Sequence, residues 1–439
     1  MYNHCVALKK NRRIRQMKIE NIRIIDPANT RDETGDIYIV NGRIVSQPEY
    51  VLAYPDAGED TVIDGRGLIA GPGLVDVHVH FRDPGQTHKE DLHTGSLAAA
   101  AGGVTTVVMM ANTTPPLDSP KLVQDVLLRA SKEDIHIYTC ATVTKGMKGL
   151  RLNDFEALLN AGAVGFTDDG NPIEDAALLT EAFKEISKLN VPVSLHEEDP
   201  AYISENGVNS GTAAKLLGLT GSDPEAEISM IKRDLEIASA TGVILDIQHI
   251  STAGGVDAVR RAKLTNPNIH AEATPHHFTL TDSAVQQYNT NAKMNPPLRG
   301  TDDREAIWEG LSDGTIDMIA TDHAPHSPEE KSRDFVSAPS GIIGLETSFL
   351  LAYEILVKRD IIDMSRLFEL MSLNPAKLYG LDAGTLSVGA PADIMIFSGD
   401  ETTVYSSSRS KSSNSPFLGR EFTGRIKYTI ASGNIIYRN

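Results

Sequence analysis

The sequence predicts a (β/α)8 barrel flanked by a small β-sandwich that the two chain ends build together. Three observations carry this. Between residues 71 and 380, eight apolar or β-branched runs can be counted. Helical patterns separate most of them, and such alternation over about 300 residues is what a closed parallel sheet with crossover helices requires. The two chain ends share a different texture, short segments alternating apolar with polar residues and broken at Asn or Gly, as antiparallel strands are.

Taken in order, residues 1–16 are basic (Lys9, Lys10, Arg12, Arg13, Arg15) with no apolar stretch behind them. They read as a disordered tail or an upstream start, not as a secretory signal. Residues 17–70 hold IENIRIID, GDIYIV, GRIVSQ and TVIDGRG, the first part of the sandwich. The barrel follows over 71–380, with strands expected at 74–80, 104–110, 135–143, 163–169, 191–198, 243–250, 269–277 and 316–324. Helices are expected at 119–131, 173–188, 223–240 and 252–263, with Pro224 in a first turn behind the capping candidates Ser222 and Asp223. A doubly wound open sheet is the runner-up, but no Gly-x-Gly-x-x-Gly follows an early strand. Residues 381–439 complete the sandwich with ADIMIFSG, GRIKYTIASG and NIIYRN, and the Ser-rich stretch 406–415 reads as a surface loop.

Composition removes several functions. The chain has 439 residues, 41% hydrophobic and 23% charged, with a formal net charge of −18. That balance disfavours nucleic acid as a partner. The two cysteines, Cys5 and Cys140, lie far apart, which excludes a disulfide framework and fits a reducing cytoplasm. No run of 18 apolar residues is present, so no membrane span is expected.

Active sites of such barrels lie at the C-terminal strand ends. Here those ends carry His78 and His80, Asp168-Asp169-Gly170, His196, His249, and Asp322-His323-Ala324-Pro325-His326. His78 and His80 are two apart, so a strand turns both to one face. Any one of these residues alone is more often structural. Converging from five strands, they are hard to bury without a metal. Nitrogen and oxygen ligands without thiolate suit zinc and tolerate manganese or cobalt. The number of ligands exceeds one catalytic ion's needs, so two ions bridged by a carboxylate are the economical reading. A bound ion lowers the pKa of water from about 16 to about 7, giving hydroxide at neutral pH, and Asp322 stands ready to move a proton. Arg82 offers a guanidinium fork for a carboxylate. Asn112, Asn295 and His326 are further candidates for binding a polar substrate. His276 and His277 read as supporting or structural residues.

His78-Val79-His80-Phe81-Arg82-Asp83-Pro84-Gly85, Asp168-Asp169-Gly170, His249-Ile250-Ser251-Thr252-Ala253, Asn295-Pro296-Pro297-Leu298-Arg299 and Ala320-Thr321-Asp322-His323-Ala324-Pro325-His326, in this order, resemble the bacterial type I dihydroorotases of the amidohydrolase superfamily. The resemblance runs over nearly the whole chain from Met17 and includes Asn414-Ser415-Pro416-Phe417-Leu418-Gly419 near the end. It implies a zinc enzyme that interconverts dihydroorotate and N-carbamoyl-L-aspartate in pyrimidine synthesis. His78, His80 and Asp322 would hold one zinc, His196 and His249 the second, and Asp169 would bridge them. Asp322 would also be the proton shuttle. Arg82, Asn112 and His326 would hold the substrate carboxylate, beside His80. Asn295 and the backbone at Ser340 and Gly341 would meet the ring; the family often has Phe where this chain has Ser340. A cytoplasmic homodimer that can associate with aspartate transcarbamoylase belongs to the same expectation.

Two rivals follow. Hydantoinases, dihydropyrimidinases and allantoinases resemble this scaffold but bridge their metals with a carboxylated lysine after strand four, where Gly165-Phe166-Thr167-Asp168-Asp169 offers none. A catalytically dead partner of aspartate transcarbamoylase would tend to lack ligands that this chain retains.

Overall fold

A computed structural model describes residues 15–53 and 61–439. The tail expected over 1–16 therefore falls outside the described residues except at its end. There Gln16 opens the first strand, because its side-chain amide is buried and donates to the Tyr50 carbonyl at 2.8 Å.

Both ends of the chain meet in one eight-stranded sheet. Its strands are β1 (Gln16–Asp26), β2 (Arg31–Val40), β3 (Arg43–Val45), β4 (Thr61–Asp64) and β5 (Ile69–Pro72) from the first part of the chain, and three more from the last. Alternation puts Met17, Ile19, Ile22, Ile24, Ile37 and Ile39 inside, against Ile394, Ile396 and Ile430.

The barrel staves begin with β6 (Leu74–Val79), β7 (Val104–Met109) and β8 (His136–Thr139), paired in parallel. They continue as β9 (Pro192–Leu195), β10 (Ile244–Ile247), β11 (Ile269–Ala273) and β12 (Met318–Ile319), also parallel. The strand expected at 163–169 is present as a stave without regular strand pairing. Phe166 bridges to Ala141 on one side and Val193 on the other. Its neighbours continue the ladder, Val164 N–H to Thr139 and Thr167 N–H to Ala141. A bridge from Val79 to His323 closes the ring. The expected strand 269–277 stops at Ala273 because Pro275 opens a short helix, Pro275–Thr279, capped by the Thr274 hydroxyl.

Expected helices appear at Pro120–Ala130, Ala176–Ile186, Glu225–Thr241 and Ala253–Lys263. Ahead of the third, the Asp223 carboxylate caps the Glu225 N–H at 2.9 Å, as its sequence position suggested. The chain then returns to the first sheet through β13 (Ile394–Val404), β14 (Glu421–Ala431) and β15 (Asn434–Arg438), with β13 pairing β5. Between β13 and β14, the Ser-rich stretch departs from a plain surface loop. Ser412, Asn414 and Ser415 are buried, because this segment packs onto the barrel mouth.

Candidate active site

The alternation of β6 decides which way its side chains point. His78 and His80 project to one face, and both are buried. The same rule separates two neighbouring carboxylates on the fourth stave. Asp168 turns away and accepts from the backbone N–H groups of Val143 (2.8 Å) and Thr144 (3.2 Å). Burial pushes it up to about 7 against those bonds. Asp169 turns to the imidazoles. Its Oδ1 lies 3.7 Å from His78 Nε2, 3.7 Å from His196 Nδ1 and 4.0 Å from His249 Nε2, and its Oδ2 lies 3.5 Å from His80 Nε2.

Asp322, at the end of the eighth stave, completes the cluster. Its Oδ1 is 2.9 Å from His80 Nε2 and 3.7 Å from His78 Nε2. Two groups of donors result, His78 with His80 and Asp322, and His78 with Asp169 and His249; within each, the donor atoms lie within 4.8 Å of one another. His196 joins them through His249, the facing ring nitrogens standing 2.9 Å apart.

This geometry fits a metal centre. His78 Nε2 is fully buried and has no hydrogen-bond partner. Two ligand atoms each about 2.0–2.1 Å from a tetrahedral ion lie about 3.4 Å apart. Most of the separations around Asp169 are too long for good hydrogen bonds and close to that spacing. The charges are strongly coupled. Burial would raise the Asp169 carboxyl, yet the surrounding His78, His80 and His196 hold it well below the carboxylate range. Burial would lower His78, but Glu272 and Asp169 keep it well above its ordinary value. Burial together with His196 and His78 keeps His249 well below.

Several residues that orient the imidazoles escaped the sequence reading. Glu272, fully buried on β11, accepts from His78 Nδ1 at 3.0 Å. Glu198 faces His196 Nε2 at 3.0 Å. Each fixes one ring nitrogen and leaves the other lone pair turned to the cluster. The signals were there: a charged residue inside the strand IHAEA, and an acid two places after a strand-end histidine. Asn112, read as a substrate contact, does this work too. Its Oδ1 accepts from His80 Nδ1 at 2.9 Å, and its Nδ2 donates to Asp169 Oδ2 at 2.7 Å. Glu272→Gln is expected to weaken metal binding about 10–100-fold, measured by titrating the metal-free protein. An unchanged affinity would remove Glu272 from the ligand's support.

The mouth around this cluster holds the remaining candidates. Arg82 Nη2 lies 3.4 Å from His326 Nε2, and its Nε donates to the Pro325 carbonyl at 3.3 Å. No ion pair joins Arg82 to a carboxylate among the described residues; the ionic partner of Asp83 is Arg129 and that of Glu330 is Lys89. Burial, together with Arg82, Lys89 and Lys331, pushes His326 down to about 2, so its ring is neutral at pH 7. Asn295 Nδ2 is 3.3 Å from His196 Nε2, and its Oδ1 is buried without a partner. Ser340 donates to Asn206 Oδ1 at 2.8 Å. Gly341 has both backbone groups engaged within the protein. Its N–H donates to the Lys293 carbonyl (2.8 Å), and its own carbonyl accepts from Asn414 Nδ2 (3.0 Å) and Lys331 Nζ (3.1 Å).

Asn414 also links the Ser-rich stretch to the mouth, accepting from His326 N–H at 3.1 Å and donating to the Ala324 carbonyl at 3.0 Å. Three non-glycine site residues carry positive φ, Arg82 (56°), His249 (29°) and Asp322 (46°). Such strain persists where the surroundings over-determine the backbone, and it gathers at functional sites.

The comparisons point one way. The amidohydrolase family model matches residues 69–436. The dihydroorotase of Clostridioides difficile (strain 630) is 49% identical over 421 residues, covering 95% of this chain and 99% of that protein. The dihydroorotase of Lactococcus lactis subsp. lactis (strain IL1403) is 48% identical, covering 96% and 99%. Among solved structures, the L-hydantoinase (dihydropyrimidinase) of Arthrobacter aurescens matches with a TM-score of 0.84 at 25% identity over 96% of each chain. The dihydropyrimidinase of Brevibacillus agri NCHU1002 matches with 0.82 at 22% identity, covering 97% of this chain and 95% of that one, a likeness of fold alone.

Proposed function

The chain belongs to the amidohydrolase family, and on that premise we infer that it is a dihydroorotase, interconverting dihydroorotate and N-carbamoyl-L-aspartate by opening and closing a cyclic amide. The site is a metal centre. Its proposed occupants are two zinc ions bridged by Asp169, one held by His78, His80 and Asp322 and the other by His196 and His249. The support is a donor set of nitrogen and oxygen with no thiolate. When bound, such ions polarise an amide carbonyl and supply hydroxide at neutral pH.

The rest falls to side chains of this chain. Asp322 takes the proton of the nucleophile and hands it to the departing ring nitrogen, which suits a carboxylate at the edge of the cluster. Arg82 binds the substrate carboxylate, with neutral His326 beside it. Asn112 takes part through His80 and Asp169, whose geometry it holds. Asn295, with an unpartnered buried oxygen, faces the ring, and Ser340 and Gly341 form the rim next to it. The single observation that carries the choice of substrate is Arg82, a guanidinium in the mouth without a carboxylate partner. Dihydroorotate supplies one; the uncharged hydantoins do not. A homodimer, a cytoplasmic location and association with aspartate transcarbamoylase belong to the same proposal and are supported by the resemblance alone.

Zinc-loaded protein is expected to hydrolyse dihydroorotate, to lose that activity to a chelator and to regain it with zinc. Protein that leaves dihydroorotate intact while opening dihydrouracil or hydantoin would overturn the reading.

A further inference from the structure

Residues 335–341 form the rim of the mouth, and five of their carbonyls turn inward onto two lysines. Lys293 Nζ donates to the carbonyls of Phe335 (2.8 Å), Val336 (3.0 Å) and Ala338 (2.7 Å), which uses all three donors of an ammonium. Lys331 Nζ donates to those of Pro339 (2.9 Å) and Gly341 (3.1 Å). Both lysines are buried, at 3% and 7% relative exposure. Neither pairs with a carboxylate among the described residues, the neighbouring Glu330 being taken by Lys89. A buried amino group is costly unless its hydrogen bonds are made, and here the rim backbone accepts three from Lys293 and two from Lys331, which burial and the nearby Lys293 push down to about 7.

The rim has other ties as well: Ala338 N–H donates to the Asp334 carbonyl (2.9 Å), Ser340 to Asn206 Oδ1 (2.8 Å), and the Gly341 carbonyl accepts from Asn414 Nδ2 (3.0 Å). Val336 is exposed, and the apolar contribution is limited to Ala338 and the partly buried Phe335, whose ring lies under Lys293 Nζ at 5.3 Å. The five lysine-to-carbonyl bonds add to these ties and help to offset the entropy of fixing the segment. The clamp is tight at its end. Gly341, at φ +114°, packs so closely that an added Cβ would stand 2.6 Å from Ala324 Cβ and 3.6 Å from His326 Nε2. Lys293 also acts through its main chain, since its carbonyl takes the Gly341 N–H two residues before Asn295.

We propose that Lys293 and Lys331 are positioning residues for the substrate mouth: their Nζ groups gather the carbonyls of residues 335–341 and so fix the rim at Gly341 against the carboxylate-binding side, His326 and Arg82. The proposal rests on the dihydroorotase reading for its substrate and on the rim's hydrogen bonds for its geometry.

Lys293→Met and Lys331→Met keep most of the apolar stem and remove the donors. In the zinc-loaded enzyme each is expected to raise KM for dihydroorotate about tenfold while kcat stays within about threefold. Hydrogen exchange is expected to quicken in residues 335–342, with zinc content unchanged. An unchanged KM overturns the proposal; so does a loss of kcat together with zinc, which would mean that the lysines act on the metal cluster. Should the variants fail to fold, the wild-type chain decides. Its 335–342 amides must be protected before any ligand is added, and a rim that exchanges freely until dihydroorotate is present refutes the role. If wild-type protein does not hydrolyse dihydroorotate, the functional reading falls, and the exchange measurement still judges the rim.

Discussion

Replacing Asp322 with asparagine is expected to lower kcat for dihydroorotate hydrolysis by about two to four orders of magnitude, the range that a positioned acid–base group supplies. That corresponds to about 3–5 kcal/mol of barrier. The geometry favours a clean experiment. Asp322 sits at φ 46°, a region that asparagine tolerates as well as aspartate. Among the described residues its side chain bonds only to His80 Nε2, at 2.9 Å, while the chain around it is held by others: Thr321 N–H donates to Asp76, and His323 N–H to the Thr321 hydroxyl. The variant should therefore fold with a thermal midpoint near that of the wild type. Asparagine still presents an oxygen to the cluster, so part of the metal affinity should survive while the proton transfer does not. A folded, metal-loaded variant with a near-wild-type rate would take Asp322 out of the mechanism.

What the sequence disclosed about this site follows from the range of each interaction. His78 and His80 were legible because strand alternation is local; two residues on, one face is guaranteed. The stave around Phe166 was legible as a stave, since its apolar residues mark burial. Its irregular pairing was not, because it depends on how two neighbouring strands approach. Glu272 lies 194 residues from the His78 that it orients. Nothing local announces that pairing, although an acid in an otherwise small and apolar strand calls for a buried partner. The segment 406–415 shows the opposite failure. Its serines have the composition of a solvated loop, and only the tertiary contacts of Asn414 with Ala324, His326 and Gly341, 73 to 90 residues away, turn it into a buttress of the mouth. Gly341 was found by resemblance, yet its backbone groups are spent within the protein.

The choice of an acid as substrate makes the second large prediction. Arg82→Met is expected to reduce kcat/KM for dihydroorotate by about two to three orders of magnitude, since truncating one side of a desolvated, hydrogen-bonded charge pair costs about 2–5 kcal/mol. Most of the loss should appear in KM if the contact holds substrate and transition state alike. The backbone should not confound the result. Arg82 has φ 56°, and methionine bears the same penalty there, having a Cβ like any other non-glycine residue. Among the described residues, no other cation is placed to replace it. His326 is held neutral by burial and by the positive charges of Arg82, Lys89 and Lys331, and Lys89 is paired with Glu330 at 2.8 Å. Arg82→Lys restores the charge but not the planar fork, and should recover only part of the loss. Dihydrouracil, which has the ring and no carboxylate, supplies the internal control. Whatever slow opening the wild type gives should be little affected, so the preference for dihydroorotate over dihydrouracil should collapse in Arg82→Met. If both substrates weaken equally, Arg82 shapes the mouth without reading the carboxylate, and the argument for an acidic substrate loses its carrier.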